Sequence, residues 1–359
     1  MLDRQHQRGA AADRPSPALG APHCGLTSHE LCDEVVSGAE DARQSTGRAA
    51  RPKQTVAGSC DQFESRVEAP NRSRRLFRWL ILTVLIVANA GLGVTLLVGT
   101  LASAPIVAPM GSPPSDLPVE AVTIDSPSGS RLSGWYIAGQ AHVGAVLLMH
   151  GVRANRLEMV ERARLLHRQG LSVLLFDFQA HGESAGRNIT FGYLESRDAR
   201  AAFDYLRRRT PGEHVGAIGV SLGGAAAILA SLDADALVLE AVYASFDNAV
   251  ENRLTMRVGM MGRLLAPLLT WQVKWRLGFD PRLLQPAARI AELHTPLLLI
   301  AGDADQHATL GEMKLLYARA NEPKELWIIP GARHIDFYRY ARKEYHRRVL
   351  DFLMPRLRS

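Results

Sequence analysis

The sequence is short of cysteine. Only Cys24, Cys32 and Cys60 carry a thiol in 359 residues, and all three precede residue 79. Their spacing matches no metal motif, so the later part of the chain works without a disulfide or a cysteine-held metal. A basic stripe is lacking too. The formal charge is +6, but residues 1–78 hold twelve Lys/Arg against ten Asp/Glu and the remainder thirty against twenty-six. No segment interleaves clustered cations with aromatics, which argues against a nucleic-acid partner. Hydrophobic residues make up 47% of the chain, enough for a sizeable core.

One stretch lacks charge altogether. Trp79–Leu101 runs twenty-three residues without an ionisable group. At about 1.5 Å per residue it covers the ~30 Å hydrocarbon core of a bilayer. Arg72, Arg74, Arg75 and Arg78 precede it, and no Lys or Arg follows until Arg131. The positive-inside rule then predicts a cytoplasmic N-terminus and everything after residue 102 on the outer side of the cell membrane. Ala102-Ser103-Ala104 has the look of a signal cleavage site, but the apolar run exceeds a usual signal core, so a retained span is expected. Residues 1–71 show no periodicity and read as disordered, or as the product of a start codon placed too early. Residues 72–102 form the basic flank and the span. Residues 103–118 hold five prolines and read as a stiff linker standing the next domain off the membrane.

From residue 119 to 359 the pattern changes. Val119–Asp125 and Arg131–Ile137 flank a turn at Ser126-Pro-Ser-Gly129 and read as a hairpin. Apolar strands are predicted at Gly144–Met149, Leu171–Phe176, Val215–Val220, Ala236–Glu240, Pro296–Ile300 and Glu325–Ile329. Helical patterns lie between them. One starts at Asn155, with Glu158 three residues on as a capping box. The last carries Phe337, Ala341, Tyr345, Val349 and Phe352 on one stripe. Apolar strands alternating with helices imply an α/β domain: a mostly parallel, mixed sheet covered by helices on both faces. Residues 246–292 break the alternation. Met256, Val258, Met260, Met261, Leu264, Leu265, Leu268, Leu269, Trp271 and Trp275 recur there at helical spacing. This insertion is expected to lie over the sheet as a lid. Its apolar stripe suits packing on the sheet better than a hydrophobic mouth for an acyl group.

The chemistry centres on Gly219-Val220-Ser221-Leu222-Gly223, a G-x-S-x-G nucleophile elbow between a strand and an Ala-rich helix. A side chain at Gly219 or Gly223 would collide with the neighbouring strand or helix. A serine hydroxyl needs a base to take its proton, and the base needs a third group to orient it. Asp303 and Asp305 follow one later strand and His334 follows the next. A chain leaving the strand at Gly302 needs a few residues to turn back, which favours Asp305 as the acid. His307 reads as a surface loop residue or helix-cap neighbour. Two backbone N–H groups must receive the oxyanion. Leu222 supplies one and Val152, after His150-Gly151, the other. His150 is expected to fix its loop by hydrogen bonds, and Asp177–Ser184 to support the site. Arg153 reads as a surface residue, as do Arg342, Lys343, Arg347 and Arg348 on the last helix.

These motifs together resemble the α/β-hydrolase superfamily from Val119 onward. They are His150-Gly151, Asp177-x-x-x-His181-Gly182-x-Ser184, Gly219-x-Ser221-x-Gly223-Gly224, Gly302-x-x-Asp305 and Pro330-Gly331-x-x-His334. The branch they are most similar to is the serine-aminopeptidase and monoacylglycerol-lipase-like hydrolases, which includes membrane-anchored members. The resemblance implies Ser221 as nucleophile, Asp305 as orienting acid and His334 as general base. Many relatives carry a Val-Pro pair after the acid, where this chain has Gln306-His-Ala-Thr-Leu310. The expectation is a membrane-tethered serine hydrolase that needs no cofactor or metal and acts on a small-molecule or lipid-like ester or thioester. A peptidase or amidase of the same fold, and an inactive tethered binding module, are the alternatives.

Overall fold

The structure, a computed structural model, describes residues 72–358. The expectation for residues 1–71 and the three cysteines fall outside the described residues. Helix α1 (Arg72–Ser103) comes first, and its most apolar window is entirely unburied. By length and composition it can cross a membrane. Its polar side chains turn inward on the helix. Thr83, Asn89, Thr95 and Thr100 each donate to the carbonyl four residues back, which satisfies them without water.

The segment after α1 is not a free spacer, which corrects the stand-off expectation. It contains a short strand, β1 (Ile106–Val107), that pairs in parallel with β6 (His181–Gly182). Ile106 N–H donates to Ala180 O and Ala108 N–H to Gly182 O, both at 2.8 Å. Met110 is buried, and its N–H donates to Glu183. Each bond satisfies a backbone group that docking would otherwise strand. The linker is therefore strapped to the domain.

The domain then runs β2 (Val119–Asp125), β3 (Arg131–Ile137), β4 (Ala145–Met149), α2 (Val160–Arg168), β5 (Ser172–Phe176), β6 and α3 (Tyr193–Arg209). It continues with β7 (Val215–Val220), α4 (Leu222–Leu229), β8 (Ala236–Glu240), α5 (Phe246–Val258), α6 (Met261–Leu277) and α7 (Pro286–Arg289). It ends with β9 (Leu297–Gly302), α8 (Leu310–Arg319), β10 (Lys324–Ile329), α9 (Phe337–Tyr340) and α10 (Arg342–Leu357). Eight strands form one sheet in the order β10-β9-β8-β7-β4-β5-β3-β2. Only the β2–β3 and β3–β5 pairs are antiparallel. Along β4 the side chains alternate between two cores. Leu147 and Met149 pack with Ala202 and Phe203 of α3 and Ala226 of α4. Val146 and Leu148 pack with Leu166 of α2 and Val349 and Phe352 of α10. The apolar strands are what a sheet covered on both faces requires.

Two local expectations need correction. The final helix breaks at Ala341, whose backbone (φ −119°, ψ 40°) separates α9 from α10. Asn155 caps a 3-10 turn, Arg156–Met159, rather than α2 directly, and Glu158 does not complete a capping box. Its carboxylate is used elsewhere.

Candidate active site

Ser221 sits between β7 and α4 with φ +48° and ψ −103°. That conformation is strained for a residue with a Cβ and is held only because its surroundings over-determine it. Its N–H donates to Glu240 O at 2.8 Å. A Cβ on Gly219 would lie 2.5 Å from Gly224 N, and one on Gly223 would land on the carbonyl oxygen of Met149. The glycines therefore let α4 close against β4 and β7, which pushes Ser221 up at the end of the sheet.

Asp305 follows β9 and His334 follows β10, at the same edge of the sheet. His334 Nδ1 lies 2.7 Å from Asp305 Oδ2. The other oxygen of Asp305 accepts from His307 N–H at 2.7 Å and Ala308 N–H at 3.0 Å. This carboxylate is fully enclosed and has a donor on each oxygen. Asp303 is turned away. It accepts from Gly331 N–H at 2.6 Å and braces the loop that carries His334. The His307 ring lies 4.8 Å from the His334 ring and lines a cavity of about 900 Å³ together with Ser221, Leu222 and Val152. Of the two readings the sequence allows, the helix-cap neighbour fits, since His307 stands two residues before the Thr309 cap of α8. It is half-buried in the site rather than on the surface, and burial with the His334 ring beside it holds its pKa below the ordinary value. Among the described residues, Ser221 Oγ makes no hydrogen bond, and His334 Nε2 is likewise unengaged.

Ligand atoms of Asp305, His307 and His334 lie within 4.8 Å of one another. The Asp305–His334 bond turns two of these groups on each other, an arrangement that suits proton transfer better than ion binding.

The Val152 loop is built from below. The β4 strand ends in His150, which is fully buried. Phe178 N–H donates to its Nε2 at 3.0 Å, so its Nδ1 carries the proton given to Gly151 O at 2.7 Å. Burial, with the neighbouring His181 adding to it, pushes the His150 imidazole down to about 3. His181 accepts from Arg153 N–H at 3.1 Å, and its other nitrogen faces Gln179 O. Glu158 completes the brace by accepting from Gly151 N–H at 2.7 Å. A Cβ on Gly151 would lie 3.9 Å from Ser221 Cβ, so the loop lies against the serine. Val152 N–H has no acceptor among the described residues. Leu222 is the first residue of α4, where an N–H has no intrahelical partner. Asp177 supports the outer side: it takes N–H bonds from Arg156 and Glu183 and an ion pair from the Arg156 guanidinium.

The Serine aminopeptidase, S33 family pattern matches residues 140–284. Rv2307c of Mycobacterium tuberculosis (strain ATCC 25618 / H37Rv) is 34% identical over 241 residues, 65% of this chain and 78% of that protein. The Pyrococcus furiosus esterase Pf2001 superposes with a TM-score of 0.58 at 25% identity, over 71% of this chain and 98% of that one. The chain belongs to the α/β-hydrolase superfamily. The α/β-hydrolase domain-containing protein WAV2 of Arabidopsis thaliana is a further relative, 29% identical over 256 residues, 65% of this chain and 78% of that protein. In this α/β-hydrolase Ser221, Leu222 and Val152 line one cavity with His307, whose ring lies against that of His334. Sequence reasoning overlooked Glu158 as the brace of the Val152 loop, because its position three residues after Asn155 mimics a cap. Arg153 is exposed, as expected from the sequence, and its guanidinium reaches back to Leu101 O at 3.2 Å.

Proposed function

We propose that the protein is a membrane-anchored serine hydrolase that cleaves a carboxylic ester or thioester through an acyl-enzyme. The observation that carries this reading is the 2.7 Å bond between His334 Nδ1 and an enclosed Asp305, with a strained Ser221 at the end of another parallel strand of the same sheet. With Nδ1–H held by Asp305, Nε2 is the nitrogen available as base. His334 takes the Ser221 proton as Oγ attacks the substrate carbonyl. The developing oxyanion meets the backbone N–H groups of Leu222 and Val152. His334 then returns the proton to the leaving alcohol or thiol, and water releases the acyl group by the same steps reversed. Pf2001 offers an esterase precedent at this identity. The four arginines in the first turns of α1, ahead of its apolar run, support a cytoplasmic N-terminus, with the hydrolase domain beyond the membrane.

A peptidase reading has one specific support, the family description of a serine aminopeptidase. The same machinery cleaves amides, and a panel of p-nitrophenyl esters beside aminoacyl amides separates the two. The deciding test is fluorophosphonate labelling of the full chain. Wild type is expected to label, and Ser221→Ala to lose labelling and at least about a thousandfold in turnover. A folded wild type that does not label sinks the enzyme reading, and labelling that survives in Ser221→Ala sinks the site.

A further inference from the structure

The apolar stripe of residues 256–275 does not pack on the sheet. Met260 is 80% exposed, Leu264 70%, Trp271 61% and Trp275 55%. Spacings of four, seven and four put these groups on one face of α6 or its immediate approach. An apolar face of this size has no favourable partner in water. Its neighbour is the apolar helix. Gln272 of α6 donates to Thr95 O of α1 at 3.0 Å, and Arg276 donates to Thr100 Oγ1 at 2.8 Å. At Gly99 the approach is so close that a Cβ would overlap the Gln272 amide. The unburied surface of α1 and the outer face of α6 thus adjoin.

The same end of α1 enters the active site. Val98, Gly99, Leu101 and Ala102 line the cavity that holds Ser221, and Leu269 and Val273 of α6 line it beside them. Arg153, next to the oxyanion loop, ties the arrangement by its bond to Leu101 O. An anchor used only as a tether has no reason to form a wall of the site.

We propose that the last turns of α1 are a specificity-determining wall of the substrate site, and that the substrate is a membrane lipid ester whose acyl chain arrives from the bilayer between α1 and α6. This rests on the serine-hydrolase reading and on α1 as a span. The outer face of α6 lies in the membrane interface, with Trp271 and Trp275 at headgroup level. Exposed Arg257 at the end of α5 and Lys274 of α6 meet lipid phosphates. Drawing an acyl chain sideways keeps its methylenes out of water throughout. The Ser221 Oγ–acyl bond forms as the ester C–O bond breaks, and the Oγ proton leaves on the lipid alcohol. Water then releases the fatty acid and restores the hydroxyl.

The test uses the full chain in phosphatidylcholine vesicles with 4-methylumbelliferyl esters from butyrate to oleate. Wild type is expected to prefer oleate. Ala102→Trp fills the wall and should lower the oleate-to-butyrate ratio of kcat/KM at least tenfold. Leu264→Ser with Leu268→Ser removes apolar surface from α6 and should raise KM for vesicle-borne oleate at least fivefold. Fluorophosphonate labelling of each variant establishes that its site is formed. A wild-type preference for butyrate, or an Ala102→Trp ratio within twofold of wild type, overturns the proposal and leaves Ser221 as the nucleophile. An unchanged KM in the α6 double variant overturns the lateral path. No turnover of any ester, with Ser221 unlabelled in folded wild type, overturns the hydrolase reading beneath it.

Discussion

Asp303 and Asp305 stand two residues apart after the same strand, and what each carboxylate holds separates them. Asp305 holds the His334 ring from an enclosed position, while exposed Asp303 holds a backbone N–H of the following loop. Asparagine at 305 can donate to Nδ1 and so favour the wrong tautomer. Asp305→Asn is therefore expected to lower turnover about 10⁴-fold. Asp303→Asn keeps an acceptor for Gly331 and should cost no more than about threefold. Rates on p-nitrophenyl butyrate check both, and the reverse ranking would reassign the acid. Both aspartates and His334 were legible in the sequence, because a loop leaving Gly302 can turn back only after a few residues. The place of His307 was not legible. Two residues from Asp305 it could face either way, and the carboxylate's bond to its own N–H turns it into the site.

At the scale of elements, the elbow works because two of its glycines are spaces for other elements. A methyl group at Gly223 meets backbone of β4 rather than a side chain that could move aside. Gly223→Ala should therefore destabilise the domain by about 3 kcal/mol. Thermal unfolding of the detergent-solubilised chain checks this, and a melting temperature equal to wild type would show that β4 can give way. The apolar strands were visible in sequence to within a residue or two, since a strand buried on both faces has no polar positions to confuse it. The break at Ala341 was not visible, because the apolar stripe continues through it. Nor was β1. A two-residue strand in a Pro-rich stretch has no period of its own, and its partner lies some seventy residues away.

At the scale of the whole molecule, neutral histidines tie the Val152 loop to the sheet, and this makes stability depend on pH. His150 is held at about 3 in the folded chain, against an ordinary 6.5. Between those values the unfolded chain binds a proton that the folded chain refuses. The contribution of neutral His150 is complete above 6.5 and is lost as pH falls toward 3. His181 is lowered by burial and acts in the same direction. Asp198, raised by burial to about 6, acts in the opposite direction, as do the raised Glu158 and Asp177. The difference between variants isolates the histidine. His150→Gln should lose less melting temperature than wild type between pH 6.5 and 4.5, and parallel curves would mean that His150 is not the proton-refusing group.

The sequence by itself determined the α/β class, the elbow, the order of Ser221, Asp305 and His334, and an apolar helix ahead of them. Each is written in local periodicity or in a short spacing, where neighbours along the chain are neighbours in space. Only the tertiary structure decided that Glu158 braces the loop beside Ser221, that residues 106–110 are strapped to the domain, and that the stripe on α6 faces outward. It also decided that the end of α1 lines the cavity. Those facts depend on which distant surfaces meet, and an apolar residue carries the same signal whether it faces a sheet, a cavity or a membrane.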